Sequence, residues 1–332
     1  MRNADTFIKV GSSAIGGMGM QTMAVVLEKP EQLALRTVDL TEAGTNDIIV
    51  DVEWSGISSG TERLLWTGRM PPFPGMGYPL VPGYETVGTV SKGCRSSGLH
   101  EGDRVFVPGA NCYHDVKGLF GGAASRLIVP AARVVPLEYR LGEQGVLFAL
   151  AATAHHAIAG DGARIPDLIV GHGIVGRLIA RIAMALGAPA PTVWEINPTR
   201  RAGATGYDVI DPATDERRNY DAICDASGAP ALLDQLIGRL GKRGEVTLAG
   251  FYEEPLSFNF PPAFMREARI RIAAEWSRCD IEAVTDLVAT GKLNLDGLIT
   301  NREKAEVAPE AYRTAFNDPT CLKMVLDWRH LA

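Results

Sequence analysis

The sequence has no pair of cysteines in C-x-x-C spacing. Its five cysteines, Cys94, Cys112, Cys224, Cys279 and Cys321, are odd in number and widely scattered. That spacing supports neither a disulfide framework nor a cysteine-rich zinc lobe, and a reducing, cytoplasmic setting fits it best. No apolar run approaches the about 20 residues needed to cross a bilayer, so no transmembrane segment is expected. Basic residues number 33 against 39 acidic ones, for a net charge of −6, and form no stripe. Nucleic acid is therefore not an expected partner. The first residues also lack the basic start and continuous apolar core of a signal peptide. Residues 1–19, which include the small, unpatterned stretch Val10-Gly-Ser-Ser-Ala-Ile-Gly-Gly-Met-Gly19, read as a disordered or added extension.

What is present is ordinary for a globular chain: 46% hydrophobic and 22% charged residues over 332 positions, enough for two domains with separate cores. From Met23 the pattern is β-rich. Ala24–Glu28, Leu33–Val38, Asp47–Trp54, Glu85–Val90, Asp103–Val107 and Arg126–Val129 read as strands bounded by Pro, Gly and Asn-Asp signals. Between them, the proline-rich stretch Trp66 to Gly83 excludes a helix and reads as a long ordered loop or lid.

The second half alternates strand and helix. Leu168–Val170, Thr192–Glu195, Ala222–Asp225, Glu245–Ala249 and Ile270–Glu275 read as strands. Helical patterns fall at Ile174–Leu186, Pro230–Leu240 and Ile281–Thr290. Such alternation predicts an α/β, doubly wound parallel sheet. Pro309–Phe316 and Leu322–Trp328 predict a last helix and strand returning to the first half. The expected divisions are a catalytic β-rich domain over 20–150, a Rossmann domain over 151–292 and a C-terminal return over 293–332.

The sharpest motif is Leu168-Ile-Val-Gly-His-Gly-Ile-Val-Gly176. A buried strand runs into a G-x-G-x-x-G turn at Gly171, Gly173 and Gly176, and a helix begins at Ile174 and Val175. The glycines let backbone approach a pyrophosphate, and the helix start offers unpaired N–H groups to the anion. Glu195 ends the next strand, 19 residues beyond Gly176, where an acid accepts from a ribose 2′-hydroxyl. This acid favours NAD over NADP. Arg200 and Arg201 weigh the other way, as guanidinium partners for a 2′-phosphate or as ordinary solvated charges. His172 lies beside the expected pyrophosphate, facing it or solvent. Asp225-Ala226-Ser227-Gly228 and Leu248-Ala249-Gly250 end later strands and are expected ribose and nicotinamide contacts.

Upstream, Gly56-Ile-Ser-Ser-Gly-Thr-Glu62, Gly83-Tyr-Glu-Thr-Val-Gly-Thr-Val-Ser-Lys-Gly93 and Gly102-Asp-Arg-Val105 precede that turn in order. Together the segments resemble the medium-chain dehydrogenase/reductase superfamily from about Met23 to Trp328. The resemblance implies a partly open β-rich (GroES-like) catalytic domain beside the Rossmann domain, and a homo-oligomer. In zinc-dependent members a Cys stands at the position of Ser58, a His at that of Tyr84, and a third ligand close to Ala149. Serine, tyrosine and alanine are not a zinc donor set, so no metal is expected.

The Ala-Thr-Ala-His-His-Ala run at 152–157 and the Gly-His-Gly turn most resemble superfamily members that oxidise a 1-hydroxyethyl side chain on a magnesium (bacterio)chlorophyllide, in bacteriochlorophyll synthesis. That resemblance implies acetyl as product, NAD as hydride acceptor and a magnesium-tetrapyrrole substrate, and it leaves open peripheral contact with the photosynthetic membrane. Two other readings stand beside it: a zinc-free, NADPH-dependent quinone or enoyl reductase, and a non-catalytic NAD-binding redox sensor.

Without zinc a side chain must take or relay the alcohol proton. Tyr84 is placed for that role, or merely fills the metal's space. Ser58, Thr61 and Glu62 are the next candidates, and Glu85 is expected to buttress the loop through a buried charge pair. Thr153 aligns with a nicotinamide contact. His155 and His156 are read either as helix-packing histidines or as a proton relay and an axial ligand to the substrate's magnesium. Trp66, Phe73, Tyr78, Phe251 and Tyr252 could wall a broad, flat cleft, or simply anchor their loops.

Overall fold

The computed structural model describes residues 19–94 and 97–331. Apart from Gly19, the expected N-terminal extension lies outside the described residues.

The first half is mainly antiparallel and β-rich because short apolar runs alternate with Gly/Pro turns. Gln21–Lys29 pairs with Gln32–Asp39 and buries Ala24 to Leu27 completely. With Leu80–Val81 and Lys117–Gly118 these strands make a four-stranded sheet. A second sheet is built around Asp47–Ile57, the longest strand of the half. It pairs antiparallel with Thr86–Lys92, Arg126–Pro130 and Met324–Asp327. The last pairing brings the C-terminal chain back to the first half, where the Trp328 indole donates to Ser55 Oγ at 2.8 Å.

The helix Thr61–Thr67 crosses the start of the segment expected to be a loop. Trp66 and Thr67 belong to it, and the irregular, proline-rich stretch begins only after Gly68, whose left-handed φ of 70° ends the helix.

The second half carries six parallel strands in the spatial order Asp208–Ile210, Thr192–Trp194, Leu168–Val170, Tyr220–Asp225, Leu240–Leu248, Arg269–Ile272. Numbered along the chain this is 3-2-1-4-5-6, the doubly wound order that opens a ligand crevice at the strands' carboxyl ends, where the order reverses. The central strand Leu168–Val170 is buried throughout, which explains its unbroken apolar run. Ile174–Ala185 covers one face with Leu178, Ile179, Ile182 and Ala183. Arg177 and Arg181, on the side away from this apolar face, donate to loop carbonyls: Arg177 to His172, Arg200, Ala202 and Gly203, and Arg181 to Asn294 and Asp296. Among the described residues no helix is long and apolar enough to cross a membrane.

Candidate active site

Three hydroxyls converge where the two halves meet. Ser58 follows the strand Asp47–Ile57, Thr61 opens the helix Thr61–Thr67, and Tyr84 precedes the strand Thr86–Lys92. Ser58 Oγ and Tyr84 Oη lie 2.6 Å apart, and either can donate. Tyr84 also donates to Thr61 Oγ1 at a longer 3.4 Å. Its ring is held edge-on against Phe120, with centroids 5.2 Å apart. Burial, then the neighbouring Glu85 carboxylate, push the Tyr84 phenol well above its ordinary range, so it remains a neutral hydroxyl at working pH.

Two buried carboxyls stand behind this cluster. Glu62 has no exposed surface. Its Oε1 accepts the Ser58 N–H at 3.1 Å, and its Oε2 lies 2.8 Å from Tyr312 Oη. Burial, reinforced by the charge of Glu85, pushes its carboxyl up to about 8. Glu85 is equally buried and pairs through Oε2 with Lys323 Nζ at 2.6 Å. Burial raises the Glu85 carboxyl while Lys323 opposes the rise. Lys323 also donates to the Ile57 carbonyl at 3.1 Å, whereas Glu85 Oε1 has no partner. The close fit extends to Gly56, where a Cβ would stand 2.2 Å from Glu85 Oε2.

The donor set at this position does not suit zinc. Ser58 is a neutral hydroxyl already bonded to Tyr84, and Ala149, buried on the helix Phe148–Ala159, offers no side-chain donor. Among the described residues no group of three or more His, Cys, Asp or Glu side chains is placed to hold a metal ion. Thr153 lies one helical turn beyond Ala149, half-buried, and donates to the Ala149 carbonyl at 3.0 Å.

The glycine turn has the features of an anion cradle. Gly171 adopts φ 94°, which favours glycine, and a Cβ on Gly176 would fall 1.9 Å from the Gly171 carbonyl oxygen. A Cβ on Gly173 would meet nothing within 4 Å. The helix Ile174–Ala185 that follows has no side-chain cap at its start, which leaves its first N–H groups for a ligand. Glu195 is tied into the turn: its carboxylate accepts the N–H groups of His172 and Asn197 at 3.0 and 2.8 Å. These residues fit a dinucleotide. Ile196, beside Glu195, is 77% exposed and lends an apolar face to the same edge.

The His172 side chain does not face the cradle or solvent. Its ring is fully buried, with Nδ1 2.6 Å from the Arg200 carbonyl and Nε2 2.8 Å from Tyr207 Oη. Burial, the largest cause, lowers its pKa to about 4, so the ring is neutral. Arg200 donates to the Pro319 carbonyl, and Arg201 is paired with Asp211 at 2.6 Å. At the neighbouring strand end the Asp225 carboxylate is taken up by Ser227 and by Tyr252 Oη at 2.8 Å. Ala226, Ala249 and Gly250 follow these strands, their N–H groups bonded to sheet carbonyls.

His155 and His156 come together on one carboxylate. Their Nδ1 atoms lie 2.8 and 2.9 Å from the two oxygens of Asp280, which Ser277 also caps. Of the proposed cleft residues, Trp66 packs on Phe316 and Tyr78 donates to the Leu65 carbonyl, so both anchor their own segment. Phe73 and Phe251 remain exposed. A salt bridge of 3.3 Å between Arg69 and Glu253 brings their two loops face to face. Tyr312, Lys323 and this bridge carry no expectation from the sequence. A lone lysine inside the apolar run Leu322–Trp328 was the available signal for Lys323.

Residues 44–139 match the alcohol dehydrogenase GroES-like domain. Over 311 residues, 93% of this chain and 99% of the relative, the chain is 56% identical to a 2-desacetyl-2-hydroxyethyl bacteriochlorophyllide A dehydrogenase of Rhodobacter capsulatus. It is 55% identical to the enzyme of that name from Cereibacter sphaeroides, over 94% of this chain and all of the relative. The fold matches the crystal structure of 2R,3R-butanediol dehydrogenase from Bacillus subtilis with a TM-score of 0.80 at 19% identity, covering 92% of this chain and 99% of that one. The chain belongs to the medium-chain dehydrogenase/reductase superfamily, in the family of these bacteriochlorophyllide hydroxyethyl dehydrogenases.

Proposed function

We propose that this chain oxidises the 1-hydroxyethyl side chain of a bacteriochlorophyllide to an acetyl group, with NAD as hydride acceptor and without zinc. The observation that carries the reading is the 56% identity to a dehydrogenase named for that substrate, spanning nearly all of both chains. NAD is favoured because the Glu195 carboxylate sits at the turn while Arg201 is already paired with Asp211, an arrangement that disfavours a 2′-phosphate.

When bound, the nicotinamide supplies the hydride acceptor. The turn at Gly171–Gly176 would hold the pyrophosphate, and Glu195 the adenosine ribose. The alcohol proton leaves through the hydroxyl cluster. Because Tyr84 stays neutral, it cannot store the proton as a phenolate base does. It accepts the alcohol proton as it passes its own to Thr61, and half-buried Thr61 hands the charge on to water, while Ser58 holds the phenol in place. Phe73 and Phe251, on loops bridged by Arg69 and Glu253, offer walls for a flat macrocycle.

The test is direct. Pure protein given the hydroxyethyl pigment and NAD forms NADH with an equal amount of acetyl pigment. Absence of turnover with either NAD or NADP contradicts the proposal.

A further inference from the structure

The buried cluster behind the hydroxyls holds two carboxyls, Glu62 and Glu85, and one ammonium, Lys323. Lys323 is committed to Glu85 Oε2 and the Ile57 carbonyl. Glu62 instead meets only a backbone N–H and the Tyr312 hydroxyl, both neutral. An ionised carboxylate without a cation is costly at zero exposure, and such a group takes up a proton instead.

We propose that Glu62 is a positioning residue that works as a neutral carboxylic acid. It fixes Ser58 and the start of the Thr61 helix while keeping the net charge behind the hydroxyl cluster at zero. This inference rests on the proposed alcohol oxidation.

The geometry suits a neutral acid. Oε1 accepts from Ser58, and at Oε2 a carboxyl and a phenol can each serve as donor or acceptor. Glu62 also lies at the second position of the Thr61–Thr67 helix, so its bond back to Ser58 closes the turn that carries both Ser58 and Thr61. The charged and titratable groups facing it are Glu85, Lys323, Tyr312 and Tyr84. Only Lys323 is cationic, and it neutralises Glu85.

The neutral form also matters for chemistry. Alcohol oxidation builds negative charge on the substrate oxygen as its proton leaves, and a nearby uncompensated anion opposes that charge. When Glu62 loses its proton the cluster becomes net negative and the step slows. Burial and the Glu85 charge, which hold the Glu62 carboxyl at about 8, put this loss at the alkaline edge of the working range.

Two measurements on the intact chain test the proposal. Infrared difference spectra between wild type and Glu62→Gln at pH 7 report the carbonyl stretch of a protonated side-chain acid without any substrate. The band is expected in wild type and absent from the variant. An ionised-carboxylate band in wild type overturns the proposal. The pH profile of kcat is the second readout. Wild type falls on an alkaline limb centred near 8. Glu62→Gln keeps its pH 7 activity within about threefold and loses that limb, because an amide reproduces the acceptor and donor of the neutral acid. A loss of about 100-fold or more in folded, NAD-binding Glu62→Gln overturns the proposal, since general acid–base catalysis contributes on that scale; an unchanged limb does so too. If wild type does not turn over the pigment alcohol, the proposed function fails, and the infrared band still decides the protonation of Glu62.

Discussion

Tyr312, on the C-terminal helix Ala308–Asn317, meets the carboxyl of Glu62 at 2.8 Å across 250 residues of sequence. Lys323 reaches back in the same way to Glu85, 238 residues earlier. The returning C-terminal segment therefore supplies both partners of the carboxyls behind Ser58 and Tyr84. This ties the fold's closure to the site, and several measurable effects depend on it.

Lys323→Met leaves Glu85 buried without its cation. Breaking a buried pair on one side costs about 3–5 kcal/mol, whereas replacing both partners costs much less. Lys323→Met is expected to lose stability on that scale in urea unfolding, and Lys323→Met with Glu85→Gln to recover more than half. Equal stability of the single variant and wild type would count against the pair's importance.

Tyr84→Phe removes the hydroxyl at the head of the relay and leaves its packing on Phe120. The expected result is a fall in kcat of about 100-fold with KM little changed, the scale of a lost proton-transfer group. Because Tyr84 is held neutral, wild type shows no step from its ionisation across the ordinary assay range. Full activity in Tyr84→Phe removes it from the mechanism.

Glu195→Ala strips the acceptor from two N–H groups and from the expected ribose contact. Hydrogen bonds to a charged group are worth about 1.5–3 kcal/mol, so NADH affinity read by fluorescence is expected to fall about 10- to 100-fold. NADPH affinity is expected to fall less, narrowing the preference. A variant that binds NADH as wild type does would detach Glu195 from cofactor recognition.

The glycine turn gives a paired prediction. Gly176→Ala forces a Cβ to 1.9 Å from the Gly171 oxygen, so overpacking is expected to cost about 1–3 kcal/mol of stability as well as cofactor binding. Gly173→Ala meets open space. It is expected to keep its melting temperature and to bind NADH more weakly, because the methyl group occupies the approach to the phosphates. Equal behaviour of the two variants would contradict the cradle.

How far the sequence could be read depended on the range of each interaction. The central strand Leu168–Val170 and its helix were legible because burial on both faces leaves an unbroken apolar run and a 3.6-residue stripe. The Thr61–Thr67 helix was not, since it starts after Gly60 with no side-chain cap and runs into a proline-rich stretch. Phe260–Arg266 was missed as well: it is seven residues long, and Pro261 and Pro262 fill its first turn, where proline is tolerated but gives no helical stripe. At the site, the residue types at 58, 84 and 149 were legible at once, because Ser58, Tyr84 and Ala149 are read directly from the sequence. The direction of the His172 ring was not legible, because Tyr207, 35 residues away, holds it inward. Nor was the Tyr312–Glu62 contact, for which no local pattern exists.

In the proposed mechanism, hydroxyls do the work that a metal performs in zinc-dependent members of the superfamily. Its most direct test is turnover of hydroxyethyl bacteriochlorophyllide by pure protein with NAD in excess EDTA, followed by NADH formation and pigment absorption. The expected result is an unchanged rate before and after chelation, with no gain on adding zinc. Activity abolished by EDTA and restored by zinc would contradict it.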